Sequence, residues 1–226
     1  MFGAESRVDD SSIVTNQGKI KMKVMSRMVM CLLVLGFALA GCAVNPDSGG
    51  WVTLLDGEKG MENFNRIGDA NWRAEGGAIV ADKGKGGHLV TKTAYKNFEI
   101  RAEFWAATDT NSGIFIRATD PNKIGSATSY EVNIWDIRPD PKYGSGAIVD
   151  VAAVPVPLTN LVGGKWNVLK ITADGPQLTV WLNDFMTVNT RDGRFAQGPF
   201  SLQYGAGVKG ATGGPIKWRK VQVRAL

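Results

Sequence analysis

From residue 51 onward, apolar and polar side chains alternate with a period of two, the pattern of strands that bury one face. The clearest stretch is Phe98-Glu-Ile-Arg-Ala-Glu-Phe-Trp105. It sets Phe98, Ile100, Ala102 and Phe104 on one face and Glu99, Arg101, Glu103 and Trp105 on the other. Residues 112–117 place Ile114 and Ile116 opposite Phe115 and Arg117. Residues 130–135 place Val132 and Ile134 opposite Glu131, Asn133 and Trp135. Further along, strand-like stretches at 166–172, 177–182 and 185–189 are separated by Asp174-Gly175-Pro176 and Asn183-Asp184, both turn-forming. Residues 199–203 and 216–224 complete a set of about a dozen predicted strands. No amphipathic helix of any length and no repeat of fixed period is visible. Many short strands with Gly-rich turns predict an all-β sandwich or barrel. The polar-aromatic positions of the three strands around 98–135 predict one open, concave sheet face.

The N-terminal part does not share this pattern. A basic stretch from Lys19 to Arg27 precedes a thirteen-residue apolar run at 28–40. That run is too short to cross ~30 Å of hydrocarbon comfortably as a helix, and it fits the apolar region of a secretory signal. Residues 1–21 have no evident role, and Met22, Met25 or Met28 are alternative starts. The run ends in Leu39-Ala40-Gly41-Cys42, which resembles a bacterial lipobox. The resemblance implies cleavage before Cys42 and acylation of Cys42. Residue 43 is Ala rather than Asp, which by resemblance to Gram-negative lipoproteins implies delivery to the outer membrane, facing the periplasm. The expected organisation is an extension and signal at 1–41, a lipidated tether at 42–50 and one domain at 51–226. The tether would reach at most ~28 Å at ~3.5 Å per residue.

Composition sharpens this picture. With 44% hydrophobic and 21% charged residues in 226, the chain is neither disordered, collagenous nor a multi-span membrane protein. Five of the 26 basic residues and three of the 21 acidic ones lie before Cys42, leaving an interspersed 21 against 18. That balance offers no basic stripe for nucleic acid. The two cysteines, Cys31 and Cys42, both belong to the N-terminal part. The domain therefore has no disulfide and relies on its core. Its 28 glycines and seven tryptophans suit tight turns and exposed stacking surface.

Few residues offer chemistry. The single histidine, His88, has no Cys or His partner in the sequence and reads as a loop or strand-start side chain rather than a zinc ligand. No G-x-S-x-G elbow, Walker loop or dinucleotide fingerprint is present. The carboxylates Glu103, Glu131 and Asp136 lie on or just after the predicted strands. Were those strands neighbours, Glu103, Arg117 and Glu131 would project from one face. An arginine between carboxylates stabilises their ionised forms and can hold an oxyanion bidentately. The same pattern also describes a cross-strand ion-pair ladder on a solvated face. Trp105 and Trp135 share the predicted face, as sugar-stacking platforms or as edge-covering residues.

Several stretches together are similar to one family. They are Trp51-Val-Thr-Leu-Leu-Asp-Gly57, Trp72-Arg-Ala-Glu-Gly-Gly-Ala-Ile79, Phe98-Glu-Ile-Arg-Ala-Glu-Phe104, Asn111-Ser-Gly-Ile-Phe-Ile-Arg117 and Tyr130-Glu-Val-Asn-Ile-Trp-Asp136. Shorter ones follow at Gly144-Ser-Gly-Ala-Ile148, Lys165-Trp166-Asn167, Leu182-Asn183, Leu202-Gln203 and Lys217-Trp-Arg-Lys-Val221. The chain from Trp51 to Leu226 resembles the 3-keto-disaccharide hydrolase domain family. The resemblance implies a concanavalin-like jelly-roll sandwich of two antiparallel sheets. It also implies a hydrolase that cleaves glycosides oxidised to a ketone at sugar C3.

A C3 ketone acidifies the C2 hydrogen. A base removes it, an enolate forms, the C1 oxygen leaves and water adds back. Such a site needs a base, an enolate stabiliser and an acid, unlike ordinary glycosidases with two carboxylates around an oxocarbenium-like centre. In the expected arrangement Glu131 is the base and Arg117 faces the enolate oxygen, while Asp136 or Glu103 is the acid or orients Arg117. Arg101, Trp105, Asn111, Asn133, Trp135, Gln203 and Tyr204 are the expected substrate-binding residues. Family members often carry a histidine after the C-terminal glutamine, where this chain has Tyr204. A divalent metal held by acidic residues is left open, with no ligands assigned. The expected partners are a carbohydrate substrate, the membrane through the lipid, and an upstream sugar 3-dehydrogenase that makes the ketone. A non-catalytic carbohydrate-binding module, or a structural envelope lipoprotein without small ligand, fits the same residues.

Overall fold

The alternation resolves into fourteen strands in the computed structural model, which describes residues 46–47, 50–207 and 213–226. The signal and Cys42 lie outside the described residues. In chain order the strands are β1 (Pro46–Asp47), β2 (Trp51–Asp56), β3 (Phe64–Gly68), β4 (Arg73–Glu75), β5 (Ala78–Ala81), β6 (Gly86–Thr91) and β7 (Phe98–Ala106). Then come β8 (Ser112–Ile116), β9 (Tyr130–Ile134), β10 (Lys165–Asp174), β11 (Gln177–Leu182), β12 (Phe185–Arg191), β13 (Ser201–Gly205) and β14 (Ile216–Ala225). The helical content of the described residues is two three-residue 3-10 turns, Met61–Asn63 and Pro141–Tyr143.

Two antiparallel sheets form, as the jelly-roll expectation requires. One has the path β1-β2-β14-β7-β10-β11-β12, with β5 also pairing β14 and β4 pairing β5. The other runs β3-β6-β13-β8-β9. The meander β10-β11-β12 is local and follows its turn chemistry. Asn183 and Asp184 both take positive φ, 51° and 64°, which matches the right-handed twist of the strands they join. The pairs β1-β2, β4-β5 and β8-β9 also join consecutive strands, while long-range pairings close the sheets: β14, last in the chain, lies between β2 and β7.

The core lies between the inner faces. Phe98, Ile100, Ala102 and Phe104 of β7 meet Ile114 and Ile116 of β8 and Tyr130 and Val132 of β9 in one buried cluster. Trp218 packs on Phe104 at 5.7 Å between ring centroids. Each fully buried aliphatic or aromatic side chain stabilises by about 1.5–3 kcal/mol.

Two expectations change here. Pro46 and Asp47 pair with Val52 and Trp51, so the sheet starts inside the stretch expected to be the tether at 42–50. Secondly, β7 belongs to the nine-stranded sheet while β8 and β9 belong to the five-stranded one. The single polar-aromatic face is therefore divided between opposite outer surfaces of the sandwich.

Candidate active site

The outer face of the five-stranded sheet carries the chemistry. Register alone builds it. Ile67, His88 and Gln203 lie side by side across β3, β6 and β13, and Gly113 pairs with Asn133 across β8 and β9. One pleat away, Val90, Ser201, Phe115 and Glu131 form a second row. A cavity of about 710 Å³ opens on this face. His88, Asn111 and Gln203 line it, the loop residues Asn122, Lys123 and Ile124 wall it, and Asp69 and Lys85 stand at its rim. The Asp69 carboxylate accepts hydrogen bonds from the Lys85 and Gly86 amides at 2.6 and 3.1 Å, which shapes that rim. Gly113 puts no side chain on this face of β8. A Cβ there would come within 2.8 Å of the Val132 carbonyl oxygen and 3.6 Å of Gln203 Oε1.

The electrostatics are set by burial. Burial pushes the Glu131 carboxyl up to about 7; nearby Asp150 adds to the rise and the Arg138 guanidinium opposes it. Burial also pushes His88 down to about 4, so the imidazole is neutral at pH 7. Its Nδ1 shares a hydrogen bond with Ser201 Oγ at 3.1 Å. Its ring meets Phe115 edge-on at 5.1 Å. Phe115 is the direct cross-strand partner of Glu131, so one apolar ring lies between the two titratable groups.

Four buried polar atoms on and beside this face have no hydrogen-bond partner: Asn133 Oδ1, Trp135 Nε1, Arg138 Nε and Gln203 Oε1. Among the described residues the two other such atoms are the indole nitrogens of Trp72 and Trp218. Buried polar groups are normally paired, so two acceptors, Asn133 Oδ1 and Gln203 Oε1, and two donors, Trp135 Nε1 and Arg138 Nε, are left to exchange hydrogen bonds with water or a ligand. Asn133 Nδ2 donates to the Tyr143 carbonyl at 2.6 Å, which fixes the amide and leaves its oxygen free. The Arg138 guanidinium sits 5.5 Å from the Trp135 ring centroid.

Of the residues expected from sequence, Glu131, Asn111, Asn133, Trp135 and Gln203 belong to this face or the cavity that opens on it. The others are elsewhere. Arg117 follows β8 with φ 55°, and this left-handed residue ends the alternation that would have set it beside Glu131. It is 1% exposed. Its Nε and Nη2 donate to the Lys96 carbonyl at 2.9 and 2.6 Å. Its Nη1 donates to the carbonyls of Gly175 and Phe195 at 2.6 and 3.3 Å. It clamps three chain segments and does not face an enolate.

Glu103 lies on the opposite outer face, paired with Arg219 at 2.8 Å. Arg101 and Trp105 share that face. Asp136 spends one oxygen on the Ser145 hydroxyl at 2.7 Å and the other on the amides of Val162 and Gly163 at 2.9 and 3.0 Å. It organises loops. Tyr204 is fully buried on the core side, and its hydroxyl donates to the Gly213 carbonyl at 3.0 Å. Its backbone touches the cavity but its phenol does not face the open sheet.

Sequence reasoning passed over two groups. His88 shares its parity with Gly86 and Val90, a signal that could have placed it on the outer face. Arg138 lies beyond the end of β9, where strand periodicity carries no information. Among the described residues, no three His, Cys, Asp or Glu side chains gather as a metal cluster, so no step is drawn through a metal.

Comparison with known proteins agrees with this architecture. The model of the 3-keto-alpha-glucoside-1,2-lyase-like domain family matches residues 50–224. The chain belongs to that family. A 3-keto-disaccharide hydrolase of Bacteroides thetaiotaomicron is 31% identical over a match covering 55% of this chain and 53% of that protein. The chain thus spans about half the length of the curated relative it matches. A Parabacteroides distasonis protein, solved as a candidate glycosyl hydrolase, superimposes with a TM-score of 0.63 at 23% identity, covering 78% of this chain and 99% of that one. The Bacillus subtilis carbohydrate-binding module CBM66 superimposes with a TM-score of 0.51 at 14% identity, covering 78% and 96%. At these identities the two structures speak for the sandwich fold alone.

Proposed function

We propose that this domain cleaves 3-keto-glycosides, with Glu131 as its acid-base group. The observation that carries the reading is a carboxyl pushed up to about 7, on the face that gathers the unpartnered polar atoms. A group with that pKa is half ionised near neutral pH, where general acid-base catalysis is most effective.

Ionised Glu131 takes the C2 proton of the bound 3-keto sugar. The C2–H electron pair moves to form an enolate, whose charge is opposed by the Arg138 guanidinium beside Glu131. The enolate collapses to a C1–C2 double bond as the C1–oxygen bond breaks. The now neutral Glu131 returns its proton to the leaving oxygen. Water then adds across the double bond, hydroxyl to C1 and proton to C2. One carboxyl of this pKa serves both proton transfers, so neither Glu103 nor Asp136 is needed. His88, Asn133 and Gln203 hold sugar hydroxyls, and Gly113 lets the ring approach the sheet.

This reading keeps the base expected from sequence and replaces Arg117 with Arg138. The family membership and the relative's name support the substrate class. The ketone would come from an upstream sugar 3-dehydrogenase, and acylation at Cys42 would place the domain at the outer membrane, facing the periplasm. Release of free sugar from 3-keto-trehalose or 3-keto-lactose tests the reading. Turnover that falls by at least ~100-fold in Glu131→Gln supports it. Saturable binding of the same sugars without turnover would instead make the domain a carbohydrate-binding module.

A further inference from the structure

The outer face of the nine-stranded sheet, opposite the candidate active site, has a composition of its own. Four of the seven tryptophans are on it: Trp51, Trp105, Trp166 and Trp181. Three carry a basic side chain over the ring. Arg224 lies 4.9 Å from the Trp51 centroid, Lys217 4.9 Å from Trp105 and Arg219 4.3 Å from Trp166. Trp181 pairs across strands with Lys170, which in turn pairs with Arg101. With Lys220, the cross-strand partner of Glu103 and Asp56, six basic residues thus stand against Glu99, Glu103 and Asp56 on the face and Asp184 at the adjoining turn; Arg224, Arg219 and Lys170 are ion-paired with Glu99, Glu103 and Asp184, which leaves a net positive face. Trp166 and Trp181 are 39% and 37% exposed, and Met186, the cross-strand partner of Trp181, is 48% exposed.

Indole rings with an apolar body and a polar edge concentrate where hydrocarbon meets headgroups. Lysine and arginine among them are attracted to anionic lipid. The chain enters this same sheet through β1, whose first residue follows Cys42 by four positions. We propose that the outer face of the nine-stranded sheet docks on an anionic membrane surface, through the tryptophans and their basic neighbours. Docking there turns the cavity of the five-stranded sheet away from the bilayer, toward soluble sugar. The inference does not need the catalytic reading.

The test uses the chain from residue 46, whose described residues form one compact unit with its own core. Binding is followed by tryptophan quenching with brominated phosphatidylcholine, alone and mixed with phosphatidylglycerol. Binding to the mixed vesicles that weakens with salt is expected. Each basic residue near such a surface is worth about fivefold in partitioning. Arg101→Gln with Lys217→Gln should therefore lower it about 25-fold, and Trp166→Ala with Trp181→Ala should weaken binding and reduce the quenching to what Trp51 and Trp105 give. Lys92→Gln with Lys142→Gln, outside this face, should change nothing. Melting curves of the variants separate lost docking from lost folding. Absence of vesicle binding, binding lost equally in the Lys92/Lys142 variant, or capture by a soluble polyanion but not by vesicles would overturn the proposal.

Discussion

Replacing Arg117 by alanine separates the structural role assigned here from the catalytic role its sequence position suggested. The guanidinium satisfies the carbonyl oxygens of Lys96, Gly175 and Phe195. Truncation leaves three acceptors without their donor, on residues that are exposed (Lys96 and Gly175) or half-buried (Phe195), each costing about 1–3 kcal/mol if left unpaired. A cavity of about 230 Å³ beside Arg117, Gly175 and Phe195 lets water reach part of the gap. Burial already opposes the charge on Arg117, lowering its pKa, so removing that charge recovers something. The net loss should sit near the low end, about 3 kcal/mol. For a domain of this size that lowers the melting temperature by roughly 6–12 °C. Arg117→Lys should lose nearly as much, because an ammonium cannot reproduce the planar fork. Circular-dichroism melts at neutral pH measure the shift, and turnover below the transition should stay within about twofold of the parent. A melt within ~2 °C of the parent combined with lost turnover would refute the clamp and return Arg117 to the chemistry.

Burial pushes the Glu131 carboxyl from its ordinary value of 4.5 up to about 7, so the folded state holds its proton more tightly than the unfolded one. The stability linked to that proton is fully present below about pH 4.5 and is lost as pH rises through 7, by at most about 3 kcal/mol. Glu131→Gln should flatten denaturation midpoints between pH 5 and 8 and be the more stable protein at the alkaline end; an unchanged slope would show that the carboxyl titrates normally. Tyr204→Phe should cost about 1 kcal/mol through its lost bond to Gly213 and leave KM for a 3-keto sugar unchanged. A raised KM would place the phenol in the sugar site after all.

Local pattern carried much of the fold. The alternation in β7, β8 and β9 and the meander β10-β11-β12 were readable because side-chain parity and turn residues are properties of a few neighbouring residues. Which sheet each strand joins was not readable. That depends on pairings such as β14 with β7, which no short stretch encodes, and it moved Glu103, Arg101 and Trp105 to the far side of the sandwich. Arg117 failed for a different reason, since one left-handed residue at the strand end breaks the parity count. Glu131 was legible because it lies mid-strand. Its raised pKa was not, because it comes from burial in the folded structure, which strand parity does not encode.

Deuterium incorporation is the most direct test of a Glu131-centred elimination. A 3-keto-disaccharide is turned over in D2O by the chain from residue 46, and the released 3-keto sugar is read by NMR. Deuterium at C2, lost together with turnover in Glu131→Gln, is the predicted result. Cleavage that leaves C2 protonated, or that proceeds equally fast in Glu131→Gln, would contradict it.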